Sequence, residues 1–209
     1  MKEPAPTVYL VDDDADLLKA IERLLESAAL KVATFQSPQE FLDSHDRSAP
    51  GCLVLDLAMP GLNGLQLQQV LEQQGSTLPL VFLTGRGDIA ASVQAMKHGA
   101  TDFLTKPIDD TALIAAIHEA LARGRALRHT NAERERTARC LATLTERERQ
   151  VLDGIVAGRL NKQIAADLGT AEKTIKFHRG NLMRKMGVRV VADLVKLAER
   201  AGIWASPER

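Results

Sequence analysis

Five side chains in this sequence stand where chemistry could be done, each at the end of a short apolar run. Asp12 and Asp13 follow TVYLV (Thr7–Val11), and Asp56 follows CLVL (Cys52–Leu55). Thr84 follows LPLVFL (Leu78–Leu83), and Lys106 follows DFLT (Asp102–Thr105). Three carboxylates within a few ångströms of one another repel, and they stay ionised together only if a cation joins them. A hard divalent cation such as Mg²⁺ (or Mn²⁺) suits oxygen ligands and keeps several waters. A lysine adds a fixed positive charge, and a threonine adds a hydroxyl donor. Together these groups are equipped for phosphoryl transfer to a carboxylate, with one Asp as nucleophile, the metal bridging oxygens, and Lys and Thr holding the rest.

The elements around these residues must bring them to one place. The three longest apolar runs are continuous and contain β-branched members, so they read as strands buried on both faces. Lys31–Phe35 and Asp102–Thr105 are weaker strands of the same kind. Helical patterns lie between them. In Asp16–Ala29 the residues Leu17, Ile21, Leu24, Leu25 and Ala28 share one face. Pro38–Leu42, Leu65–Gln73, Ile89–His98 and Ala112–Leu121 behave likewise. Five strands alternating with five helices predict a parallel, doubly wound sheet. Ligands of such a sheet sit at the carboxyl ends of its strands, where all five polar residues fall. Asp56 is the expected nucleophile because its strand is central, and Asp12 and Asp13 would hold the metal. Taken alone, the acidic run Asp12–Asp16 is equally explained as a helix N-terminus favoured by the dipole. The signal is the coincidence of all the strand ends.

Composition adds a second domain. The net charge of zero hides an asymmetry: residues 1–120 hold 8 Lys+Arg against 17 Asp+Glu, and the rest hold 19 against 10. An acidic half joined to a basic half implies two domains with different partners, the basic one being the nucleic-acid candidate. From about Leu121 to Leu141 the sequence is polar, Arg-rich and free of proline, so the preceding helix is expected to continue as a semi-rigid linker. Thr145 with Glu148 has capping-box spacing, starting a helix that runs to Ala157 and is stopped by Gly158. Asn161–Leu168 follows, stopped by Gly169. Thr170 is expected to cap a third helix running to Met186, stopped by Gly187, and Val190–Ala201 forms a fourth. No apolar run is long enough to span a bilayer, and residues 1–7 lack the pattern of a secretory signal, so no membrane partner and a cytoplasmic location are expected. Two cysteines, Cys52 in an apolar run and Cys140 in a charged helix, suggest neither a disulfide framework nor a metal site.

The segments VDDD (11–14), LVLDLAMPGLNG (53–64), FLTGRGD (82–88) and GATDFLTKP (99–107) resemble those of a two-component receiver domain, with strand order 2-1-3-4-5. LTERERQVLDGIVAGRLNKQIAADLG followed by AEKTIKFHRGNLMRKM resembles the LuxR-type helix-turn-helix. The whole chain is thus similar to a FixJ/NarL-type response regulator, nearer the FixJ branch. The resemblance implies a receiver over 1–122, a helical linker over 123–141 and a smaller, four-helix DNA-binding domain over 142–209. It makes Asp56 the phosphoacceptor and Thr84 and Lys106 the switch contacts. Asp13 and Asp56 would ligate the metal by side chain, Ala58 by its backbone carbonyl, and Asp12 through water. Phe103 takes the aromatic switch position, and the Lys106–Pro107 bond is expected to be cis. Phosphate on Asp56 would draw Thr84 toward it and turn Phe103 inward, repacking a surface with Ile89, Val93, Met96 and Lys97. Arg86 stands near the phosphate or is a solvated loop residue. Implied partners are a sensor histidine kinase, promoter duplex DNA and a second copy on phosphorylation, with RNA polymerase a further candidate.

In AEKTIKFHRGNLMRKM the apolar positions Ile175, Leu182 and Met186 share one face, and the opposite face offers cations and hydrogen-bonding groups to a major groove. Lys162, Thr174 and Lys185 are expected at phosphates. Lys176, Phe177 and Gly180 occupy positions that face bases in the family, with Lys173, Arg179 and Asn181 beside them. Phe177 could touch a thymine methyl, and Gly180 departs from the long polar side chain of family members, so sparse direct readout is expected there. His178 is expected to be structural, and Val191, Leu194 and Val195 could pair two copies. Two rivals carry other expectations. A phosphatase-type hydrolase needs a second Asp two residues after the nucleophile, where Ala58 stands. A scaffold or RNA-binding regulator would bind duplex DNA no better than RNA. The expected activity is therefore a regulator that accepts a phosphoryl group and can release it again, not a metabolic enzyme.

Overall fold

A computed structural model describes residues 4–46, 49–85 and 96–200. The apolar runs become β1 (Thr7–Val11), β3 (Gly51–Asp56) and β4 (Leu80–Thr84), and every residue of the three is buried. β2 (Lys31–Phe35) and β5 (Asp102–Thr105) are half-exposed, as edge strands are. The strands form one parallel sheet in the order β2-β1-β3-β4-β5. β4 begins two residues later than the apolar run suggests. Pro79 has no N–H for the ladder, although its carbonyl still accepts from Leu53 N at 2.9 Å.

Helices α1 (Ala15–Ser27), α2 (Pro38–Ser44), α3 (Gly64–Gln73) and α4 (Asp110–Ala142) follow the strands. Alternate strand residues feed two separate cores. Val8, Leu10, Cys52, Val54, Val81 and Leu83 pack with Leu18, Ile21 and Leu25 of α1 and Leu113 and Ile117 of α4. Tyr9, Val11, Leu53, Leu55 and Phe82 pack with Phe41 of α2 and Leu67 and Leu71 of α3. Burying a side chain of the Leu or Ile class is worth about 1.5–3 kcal/mol, so each core holds its helices firmly on one sheet face. The helix expected over 89–98 lies mostly outside the described residues, and Arg86, Ile89 and Val93 with it. Met96 and Lys97 are helical.

The chain divides into two compact units between Arg128 and His129. α4 runs through that point as a single helix of 33 residues, continuing the polar stretch as its composition implies. The second unit holds α5 (Glu146–Val156), α6 (Asn161–Asp167), α7 (Glu172–Met186) and α8 (Val191–Arg200). Its core gathers Val151, Leu152, Ile155, Ile164, Ile175, Leu182, Met186, Leu194 and Ala198. The expected stops hold: Gly158, Gly169 and Gly187 take left-handed φ of 72°, 61° and 67°, which glycine adopts without steric cost. Two expectations fail. Thr170 is not the cap of α7; Ala171 is, with no side-chain hydrogen bond, because the turn from Gly169 runs one residue further. Leu194 is fully buried and unavailable to a second copy, because α8 turns that face onto the unit's own core.

Candidate functional site

Register brings the chemistry to one edge of the sheet. Val11 is level with Leu55, Asp56 with Leu83, and Thr84 with Thr105. Asp12, Asp56, Thr84 and Lys106 therefore emerge together although nearly a hundred residues separate the first from the last. Asp12, Asp56 and Thr84 are buried, at 1%, 4% and 2% exposure. Asp13 is exposed, and one carboxylate oxygen from each of Asp12, Asp13 and Asp56 lies within 4.8 Å of the others. Three hard oxygens, one of them open to water, form a donor set that fits a divalent cation.

Lys106 Nζ reaches Asp12 Oδ2 at 2.7 Å and Asp56 Oδ1 at 2.9 Å. The cis bond to Pro107 follows it. Burial holds the Asp12 carboxyl above its ordinary pKa, against the hydrogen bond from Lys106. Burial also pulls the Lys106 ammonium down, but its hydrogen bonds and charge interactions with Asp12 and Asp56 outweigh that and hold it above the ordinary lysine value. Burial is the largest single influence on both groups. Two carboxylates act together on the one ammonium and outweigh it there, whereas Asp12 has one cation to lower it and the charge of Asp56 to raise it further. Ala58 N donates to Asp56 Oδ2 at 3.2 Å. The Thr84 hydroxyl donates to the Gly85 carbonyl at 3.2 Å, and Phe103 is 39% exposed.

Two supports stand beside the pocket, the first within the acidic run already read as a helix N-terminus. Asp14 caps α1, accepting from Asp16 N and Leu17 N at 3.0 Å. It also donates its own N–H to Asp12 Oδ1 at 2.9 Å. The acidic run thus divides its labour, with a cap at Asp14 and pocket ligands at Asp12 and Asp13. Gly64 opens α3 where a Cβ would stand 2.5 Å from the carbonyl oxygen of Asp56. Only glycine permits that approach, and its place directly after the N-cap Asn63 was the available signal.

In the second unit α6 and α7 meet through the Gly169 turn. Lys162, Lys173, Lys176 and Phe177 are exposed, Phe177 at 65%. Thr174, Arg179 and Asn181 are half-buried. Arg179 donates to Asn161 Oδ1 at 3.1 Å, bracing α7 on α6. Lys176 pairs with Glu172 at 2.9 Å, and Arg184 donates to Asn181 Oδ1 at 2.9 Å. Lys185, expected at a phosphate, is occupied within the unit, donating to Glu148 Oε2 at 2.6 Å and to the Thr143 carbonyl at 2.9 Å. His178 is half-buried with its ring edge-on to Phe177.

The response regulator receiver domain matches residues 8–118, and the LuxR family of bacterial regulatory proteins matches 142–198. The response regulator protein TodT of Pseudomonas putida is 41% identical over 200 residues, covering 96% of this chain and 88% of TodT. The transcriptional regulatory protein FixJ of Bradyrhizobium diazoefficiens is 40% identical over 196 residues, covering 94% and 96%. Among solved structures, the response regulator StyR superposes with a TM-score of 0.86 at 42% identity, over 94% of this chain and all of that one. The two family matches fall on the sheet-containing unit and on the helical unit respectively. The chain belongs to the two-component transcriptional response regulators, in which a receiver domain is joined to a LuxR-type DNA-binding domain.

Proposed function

We propose that Asp56 accepts a phosphoryl group from a sensor histidine kinase and that the modified chain binds promoter DNA as a homodimer in the cytoplasm. The observation that carries the reading is the Lys106 ammonium bridging two buried carboxylates, with a third carboxylate closing an oxygen cluster. Asp13 and Asp56, the Ala58 carbonyl and, through water, Asp12 would hold Mg²⁺ or Mn²⁺. When bound, such an ion neutralises phosphoryl oxygens and aligns them. An Asp56 oxygen attacks phosphorus, the bond to the donor's imidazole nitrogen breaks with its electron pair staying on nitrogen, and a proton from water makes the departing imidazole neutral. Lys106 and the Thr84 hydroxyl hold phosphoryl oxygens. Thr84 must first give up Gly85, and the space it leaves is what Phe103 turns in to fill.

In the second unit Lys162, Lys173 and Thr174 contact phosphates, while Lys176, Phe177 and Asn181 face the groove and Arg179 positions the helix. Lys185 acts as scaffold. RNA polymerase is the partner downstream of DNA binding. The test is incubation of the full chain with acetyl phosphate and Mg²⁺, followed by intact-mass measurement. The wild type gains one phosphoryl group; Asp56→Asn does not. Full labelling of Asp56→Asn refutes the assignment.

A further inference from the structure

Gly180 sits in the middle of α7, a helix of 15 residues, where glycine weakens a helix relative to alanine. Nothing among the described residues accounts for it. A Cβ built there meets no atom within 4 Å, and its φ is not in the left-handed range. The residue is exposed. At about 100° per residue, Lys173, Lys176, Phe177, Gly180 and Arg184 fall on one stripe, opposite the buried Ile175, Leu182 and Met186. Gly180 is near the middle of that stripe, one turn from Phe177, whose ring is 65% exposed.

The stripe is therefore cationic at its ends and apolar, with a missing side chain, at its centre. Few hydrogen-bond readers stand at that centre. Lys176 is drawn to Glu172 at 2.9 Å, and neither Phe177 nor Gly180 has a polar side-chain atom. In the major groove the apolar feature of a base-pair edge is the C5-methyl of thymine.

We infer that Phe177 and Gly180 form a notch that reads a thymine methyl, with Gly180 letting the helix backbone approach the base-pair edge and the Phe177 ring covering the methyl. Gly180 is thus a specificity determinant by lacking a side chain. The inference rests on α7 being the helix that enters the groove.

The probe is a duplex selected from a random pool by the wild-type full chain with acetyl phosphate present, then remade with uracil in place of thymine at each position. Uracil at one thymine weakens wild-type binding about fourfold, the worth of one buried CH₂-sized group. Phe177→Ala binds thymine and uracil duplexes alike. Gly180→Ala binds the selected duplex about tenfold more weakly, on the scale of one mismatched base pair, while the melting midpoint of the full chain is unchanged or raised. Gly180→Ala binding as tightly as wild type overturns the notch, as does a uracil penalty that persists in Phe177→Ala. Failure of the wild type to select any duplex over bulk DNA overturns the groove-binding role of α7, and the notch with it.

Discussion

Glu148 is a buried acid of the DNA-binding unit whose removal should destabilise that unit. Its side chain is 4% exposed and ends 2.6 Å from Lys185 Nζ. It also accepts from Thr145 N at 2.8 Å, and the Thr145 hydroxyl accepts from Glu148 N at 3.3 Å, closing the box that starts α5. Glu148→Ala leaves the Lys185 ammonium, 30% exposed, without its carboxylate and with the Thr143 carbonyl as its remaining acceptor, and it removes the side-chain acceptor of the Thr145 N–H. Losing one partner of a fully buried pair costs about 3–5 kcal/mol; partial exposure of Lys185 lowers that to roughly 1.5–3. Half a capping box adds about 0.5–1 kcal/mol. The sum is about 2–4 kcal/mol, read as lost protection in hydrogen exchange of peptides from α5 to α7, with β1 and β3 as internal reference. Glu148→Gln keeps an acceptor for Thr145 and should lose less. A cycle with Lys185→Met should show a coupling of about 1–3 kcal/mol. The Lys185 hydrogen bond, then that of the Thr145 N–H, holds the Glu148 carboxyl below its ordinary value. A depressed carboxylate stabilises fully above the unfolded pKa, about 4.3. That stabilisation is lost as pH falls from there through the folded value. Protection of α5–α7 should fall on acidification below about pH 4.3, and less steeply in Glu148→Gln. Unchanged protection in Glu148→Ala, or zero coupling, refutes the argument.

Two further outcomes follow from packing around the receiver. Gly64→Ala places a carbon 2.5 Å from the Asp56 carbonyl, so backbone must shift beside the nucleophile. Acetyl phosphate labelling should slow several-fold while β-sheet circular dichroism is retained, and wild-type labelling kinetics would exclude that coupling. Cys52 is fully buried, and burial pushes its thiol up to about 12. A thiol-reactive dye should therefore modify one cysteine, Cys140, in the folded chain and both only after denaturation; rapid double labelling contradicts it.

The receiver was legible because its strands state their own limits. Lys31–Phe35 reads as a strand of five and is one. Each polar residue at a strand end needs only parallel register to reach the pocket. Boundaries set by single atoms were less legible, as at Pro79, which delays β4, and at Thr170, displaced by Ala171. Contacts closed over long separation were not legible at all. Lys185 looks like any recognition-helix cation until α5 brings Glu148 against it, 37 residues away in sequence. Leu194 looks outward-facing until α8 packs.

The alternation along β3 limits which changes of length the receiver can tolerate. Cys52 and Val54 enter one core and Leu53 and Leu55 the other. Deleting one residue within β3 would turn every side chain after the deletion toward the opposite core and draw Asp56 back by about 3.3 Å, out of reach of Lys106. Substitutions along the strand can be absorbed one side chain at a time, but a frame of one residue cannot. Changes of chain length are therefore absorbed more readily in the connections at the opposite edge of the sheet, where the strands begin, than within β3 itself.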